Sequence, residues 1–217
     1  MSSKFPNTRV RRHPERGRYD PETIYGIIDE AWHCHVAAVR DNLPVVIPTL
    51  HVRIDDQLYI HGAVAAGLFK DMGRETPISV AITHLDGLVL ARSLYNHSAN
   101  YRSVVIFGIA REVVDADEKM AVFHALADRI ALGRWEDARI PNDIEVRTTR
   151  VFAIPLDQAS AKIRSGPPAD DPEDMDRATW AGVLPLRATY STPIADPQQV
   201  PAIPLPDYLT RLVTPDA

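Results

Sequence analysis

Cysteine is nearly missing: Cys34 stands alone in 217 residues. A lone thiol excludes a disulfide within the chain and any cysteine-based zinc site, and it fits a reducing compartment. Positive charge is in the minority, with 24 Lys and Arg against 29 Asp and Glu and a net charge of -5. That balance argues against a broad phosphate-neutralising surface, so no nucleic-acid partner is expected. Long apolar runs are also lacking. No stretch approaches the ~20 residues a helix needs to span a bilayer, and Ser2 to Arg18 lack the apolar core of a secretion signal. The expectation is a cytoplasmic protein without membrane contact. Also absent are a G-x-S-x-G elbow, a phosphate loop ending in Gly-Lys-Ser/Thr, a G-x-G-x-x-G after a strand and an H-E-x-x-H pair, which leaves hydrolase and nucleotidase readings without residues to rest on.

What is present reads as one domain with tails. Asp20-Pro21-Glu22 followed by Ile24, Tyr25, Ile27 and Ile28 supplies an N-cap, a proline in the first turn and an apolar helical face. The period then shortens to that of strands in Trp32 to Arg40, Val45 to Ile54 and Gln57 to His61, separated by Asp41-Asn42-Leu43-Pro44 and Asp55-Asp56. Val64 to Met72 predicts a short helix. Ile78 to Ala91 predicts a long strand bent or bulged at Gly87, Tyr101 to Val114 another, and Thr148 to Leu156 a sixth. Between these last two, Asp115 or Asp117 can cap a helix carrying Met120, Val122, Phe123, Leu126 and Ile130 as a buried stripe, and Asn142 to Arg147 a single helical turn.

The first three strands are joined by turns too short for parallel crossovers. The expected fold is therefore mainly β with α insertions, a six-stranded antiparallel barrel spanning residues 20–187. Residues 1–19 form an N-terminal arm and 188–217 a proline-rich tail that wraps over the body or a partner subunit.

Histidines carry most of the side-chain chemistry. His33 and His35 share one face of their strand, while His51, His61, His84 and His97 fall on or near other strands. Their spacings match no ligand motif, so they read as satisfied or pocket-lining groups, and no metal site is assigned. Cys34 faces the opposite side of its strand from its two histidine neighbours and reads as a buried thiol. The segment Leu94 to Ser103 is dense in hydrogen-bonding groups. It is either a polar surface loop or a means of placing an arginine and hydroxyls on an anionic or heteroaromatic ligand.

Taken in order, Val46-Ile47-Pro48-Thr49-Leu50, Leu58-Tyr59-Ile60-His61-Gly62-Ala63, Asp86-Gly87-Leu88-Val89-Leu90-Ala91-Arg92-Ser93 and His97-Ser98-Ala99-Asn100-Tyr101-Arg102-Ser103 resemble the flavin-binding relatives of pyridoxamine 5'-phosphate oxidase. Ala159 to Pro168 and Trp180 to Leu186 extend the likeness, whose nearest branch is that of the nitroimidazole-resistance proteins. The resemblance implies an FMN-binding split barrel and a homodimer with the cofactor at the subunit interface. It implies Pro48, Thr49 and Leu50 at the ring edge and His61, Gly62 and Ala63 near the phosphate, at a helix N-terminus.

Where pyridoxamine phosphate oxidases proper carry Ser and paired basic residues, this chain has Ala63, Val64, Ala65, Ala66 and Gly67. Phosphate contacts are then expected from backbone groups, Lys70, Arg92 or Arg102, and pyridoxamine phosphate oxidation itself is not expected. Asn100, Tyr101, Arg102 and Ser103 would approach the cofactor. Trp180 either covers the ring or anchors the C-terminal arm, and Lys162 and Arg164 either meet a substrate phosphate or are surface charges. The basic cluster Arg9, Arg11, Arg12, Arg16 and Arg18 either packs on the dimer or touches an anionic partner. The implied activity is transfer of electrons from NAD(P)H through the flavin to a small aromatic or heteroaromatic acceptor, with His51 and His61 as candidates near the reactive ring. The alternative is a non-catalytic flavin or haem binder on the same fold, with haem or a deazaflavin in place of FMN.

Overall fold

Helix α1 (Pro21–Glu30) forms where the sequence predicts it: the Asp20 carboxylate accepts from the Thr23 N–H at 2.9 Å and Pro21 occupies the first turn. The structure, a computed structural model, describes residues 5–63, 77–198 and 203–213. The helix predicted over 64–72 lies outside them. A strand pair β2 (His33–Arg40) and β3 (Leu43–Ile54) turns through Asp41 and Asn42, both at positive φ, which matches the twist a two-residue hairpin needs. Strand β4 (Gln57–Ala63) follows through Asp55, also at positive φ.

Ten strands are present among the described residues, rather than six. Preceding α1 is the two-residue β1 (Gly17–Arg18); after β4 come β5 (Pro77–Leu90), β6 (Ser98–Ile109), β7 (Arg111–Val113), β8 (Thr149–Pro155), β9 (Ala159–Arg164) and β10 (Gly182–Pro185). The pairing is antiparallel throughout, in the order β1-β9-β6-β5-β2-β3-β4-β8-β7, with β10 added to β5. The ladder is thus an open path, not a closed one, with the short strands β1 and β7 at its ends. This is the split-barrel arrangement, mainly β with helices inserted. Strand β9 carries weak signals: its inward positions are the small Ala159 and Ala161, and its outward ones the polar Ser160 and Lys162. Strand β10 is four residues long and ends in proline. Gly87 does mark a bulge, because the β5–β6 register shifts between Leu85 and Gly87, and a Cβ at that position would come within 2.8 Å of the Leu184 carbonyl on β10.

Helix α1 plugs the inner side of the sheet. Ile24, Ile27 and Ile28 pack with Val36, Leu58, Ile82, Ile106 and Phe152 in the main core. A second core lies under α2 (Ala116–Ile130), where Val122 and Leu126 meet Val52, Tyr59 and Val151. Asp115, not Asp117, caps α2, accepting from the Glu118 N–H at 2.8 Å. After the single turn α3 (Arg134–Asp137), α4 (Asp143–Thr148) begins with a capping box in which Asn142 and Glu145 satisfy each other's backbone. Helix α5 (Asp207–Val213) returns the tail to the body: Tyr208 donates to Asp137 at 2.6 Å and accepts from Arg134 at 3.0 Å. Helix α2 covers one part of the outer side of the sheet and the N-terminal arm borders another at β6 and β9, while Val46, Pro48 and Leu50 leave the outer side of β3 exposed within the subunit.

Candidate functional site

Alternation along β3 and β4 separates two histidines that the sequence brings close. His51 points inward, 1% exposed, and its Nε2 lies 2.9 Å from the Ile28 carbonyl at the end of α1. A carbonyl only accepts, so Nε2 carries the proton, and Nδ1 is left a buried acceptor without a partner. Burial pushes the His51 pKa from 6.5 down to about 4, so the ring is neutral at pH 7.

His61, at the far end of β4, borders a cavity of about 300 Å³ between the sheet and the C-terminal half of α2. Leu50, Phe123, Leu126, Ile130 and Trp135 make its wall apolar, and Arg134 and Arg139 stand beside them. The His61 pKa is lowered by burial alone, and its buried Nδ1 has no hydrogen-bond partner. His61 thus brings to an apolar cavity an imidazole whose protonation burial disfavours, while Arg134 donates to Asp137 and the Tyr208 hydroxyl and Arg139 donates to Glu145 at 3.0 and 2.6 Å. Nothing in the sequence between Leu132 and Pro141 announced this wall. Ile130, assigned to the buried stripe, is 52% exposed because it faces the cavity instead of the core.

Pro48 and Leu50 are exposed on the outer side of β3, and Thr49 is half-buried between them. Register links Pro48 to His35, then to Ala81, Val105 and Ser160, one row across five strands. Val46, Leu50 and Val105 are 59%, 44% and 36% exposed along this face. His33 and His35 stand on it with their rings edge to face, 5.4 Å apart, while Cys34 between them is wholly buried. Burial raises the Cys34 pKa to about 12, so the thiol is a core group.

The remaining sequence candidates are distributed differently. Gly62 and Ala63 close β4 beside His61, and Lys70 lies outside the described residues. The Arg92 guanidinium and backbone both donate to Asp170, at 2.9 and 2.7 Å. Arg102 grips Asp86 through Nε and Nη2 at 3.0 and 2.8 Å and also binds Glu30 on α1, so its donors are given to two carboxylates. That guanidinium holds the Glu30 carboxyl below its ordinary range. Asn100 donates to the Gly166 carbonyl at 3.1 Å and accepts from Arg164, so both pin the loop after β9. Tyr101 faces Arg164 across the ladder, and Ser103 donates to the Lys162 carbonyl at 3.2 Å. Trp180, 64% exposed, lays its ring over Gly182 at the start of β10. His84 is held by the Ile27 carbonyl at 3.0 Å, and no group of three or more metal-binding side chains occurs among the described residues. No described helix is long and apolar enough to cross a membrane.

A family model described as pyridoxamine 5'-phosphate oxidase matches residues 20–163, from the α1 cap to β9. The chain belongs to that family. Among solved structures, flavocytochrome Anf3 from Azotobacter vinelandii is 36% identical, with 94% of this chain and 95% of that one covered and a TM-score of 0.89. An FAD and haem binding protein from Mycobacterium smegmatis is 32% identical, over 91% and 97% of the two chains, with a TM-score of 0.87. A 5-nitroimidazole antibiotic resistance protein from Bacteroides thetaiotaomicron shares the fold at 22% identity and a TM-score of 0.57, over 68% and 86%. No curated protein matches the chain.

Proposed function

We propose that the chain is a redox protein that binds both a flavin and haem, the haem in the His61 cavity and the flavin ring on the outer strip at Pro48 and Leu50, in a homodimer whose second copy covers that strip. The observation that carries this reading is the His61 cavity, where a neutral, partly unpartnered imidazole meets an apolar wall flanked by Arg134 and Arg139. Two relatives above 30% identity, aligned over nearly their whole length, are described as a flavocytochrome and as an FAD and haem binding protein. The second favours FAD over the FMN expected from the sequence, and both favour haem as a companion to the flavin instead of its substitute.

Bound, a flavin exchanges two electrons with a hydride donor and passes them singly, and haem iron carries one at a time. The chain's own part is positional. Leu50 borders both the strip and the cavity, so the proposed sites adjoin. Phe123, Leu126 and Ile130 line the His61 side with apolar surface, and His33 and His35 present imidazoles along the strip. NAD(P)H is the proposed donor and a small aromatic or heteroaromatic molecule the acceptor. Anaerobic addition of NADPH or NADH to the reconstituted protein should bleach the flavin absorption and then shift the haem bands. Bleaching by neither nucleotide would reject the oxidoreductase reading in favour of a carrier.

A further inference from the structure

The far edge of the outer face, about 19 Å from Pro48 at four inter-strand steps, ends in a second cavity of about 290 Å³ that the proposed function does not use. Its wall joins the N-terminal arm to β6 and β9: Arg11 and Arg12 come from the arm, Lys162 and Ser160 from β9, Val105 and Phe107 from β6. None of its lining residues is acidic. The side chains of Arg11, Arg12 and Lys162 form no ion pair or hydrogen bond among the described residues. Three cations, Arg11 and Arg12 exposed and Lys162 half-buried, thus stand around one cavity with no carboxylate among them, and like charges brought together in this way are favoured by an anion between them.

The arm is held in place. Gly17 and Arg18 pair with Lys162 and Ala161 as β1, and the Val10 N–H donates to the Tyr19 hydroxyl at 2.9 Å. The cations are thus preplaced, which lowers the ordering cost of binding. The floor is partly apolar and continues through Val105 and Ala81 toward Pro48, so it suits a ligand with a flat organic portion as well as an anionic one. We propose that this arm–sheet cavity binds the diphosphate of a dinucleotide, with Arg11 and Arg12 as paired donors and Lys162 as a point charge.

Two sources share that chemistry: the proposed FAD, in which case the inference rests on the function above, and a nicotinamide dinucleotide, in which case it does not. The test is calorimetric titration of the full-length protein with pyrophosphate, FAD and NADPH, for the wild type and for Arg11→Ala/Arg12→Ala and Lys162→Ala. These substitutions lie at or near the surface, and a matched thermal melt shows that each variant is folded. Pyrophosphate should bind the wild type and weaken about tenfold or more in each variant, with Arg11→Lys/Arg12→Lys intermediate. Parallel weakening of FAD alone assigns the flavin, and of NADPH alone the nicotinamide nucleotide; either supports the site. Equal pyrophosphate affinity in wild type and variants, or none in the wild type, overturns it. A protein that takes up no haem would sink the proposed function without moving the pyrophosphate result.

Discussion

His51 and His61 sit on adjacent antiparallel strands, one inward and one outward, and both are neutral because burial disfavours the imidazolium. His51 meets the closed end of α1 and is fixed by the Ile28 carbonyl, whereas His61 meets a cavity and has nothing fixed opposite its buried nitrogen. The contrast teaches that a perturbed histidine becomes a candidate for chemistry only where space and an unspent nitrogen coincide. His51 serves the fold, and His61 borders open space.

Substitution should separate the pair most sharply. His61→Ala is expected to weaken haem affinity more than about 100-fold, beyond the effect of losing a partner that only orients a ligand, with little loss of stability. His51→Ala should keep haem uptake and lose about 2–3 kcal/mol of stability, from a cavity and an unpaired Ile28 carbonyl; haem titration beside urea melts reads both.

Acid should act through His51 by a comparable amount. The unfolded chain takes up a proton near pH 6.5 and the folded one only near 4, so stability is full above pH 6.5, falls by about 3 kcal/mol as pH drops toward 4, and flattens below. His51→Gln should remove that part of the slope in denaturant titrations across this window.

A smaller effect is expected at Arg102. Arg102→Ala releases Glu30 and Asp86 at a half-exposed site and should cost about 1 kcal/mol, raise the Glu30 pKa, and leave pyrophosphate affinity unchanged; chemical shift titration and calorimetry check these. The smallest concerns Cys34, which should resist thiol reagents in the native protein and react at once in denaturant, because its thiolate is disfavoured up to about pH 12.

The frame of the fold was legible because local signals agreed. Asp20 and Asp115 announce helices, Asp41-Asn42 and Asp55 announce turns, and period-two alternation puts Cys34 inside and His33 and His35 outside. Strands β1, β9 and β10 were not legible, being short or built from small, polar or proline residues whose strand character comes from the ladder beside them, and the strand expected over Tyr101 to Val114 is broken at Ala110 into β6 and β7. The outer strip at Pro48 and Leu50 could be placed from a resemblance, but the His61 cavity could not. Its wall comes from Phe123 and Ile130, whose helical spacing was legible but read as core, and from Arg134, Trp135 and Arg139, which follow β4 by about seventy residues with no periodicity toward it. Arg102 shows the opposite failure: an arginine in a polar segment suggested an anion site, and only tertiary structure reveals two carboxylates already bound.

The most direct test of the central claim is the absorption spectrum of the purified protein before and after addition of haem and FAD. The account predicts a Soret band at one haem per chain together with flavin absorption. A protein that remains colourless after both additions would contradict it.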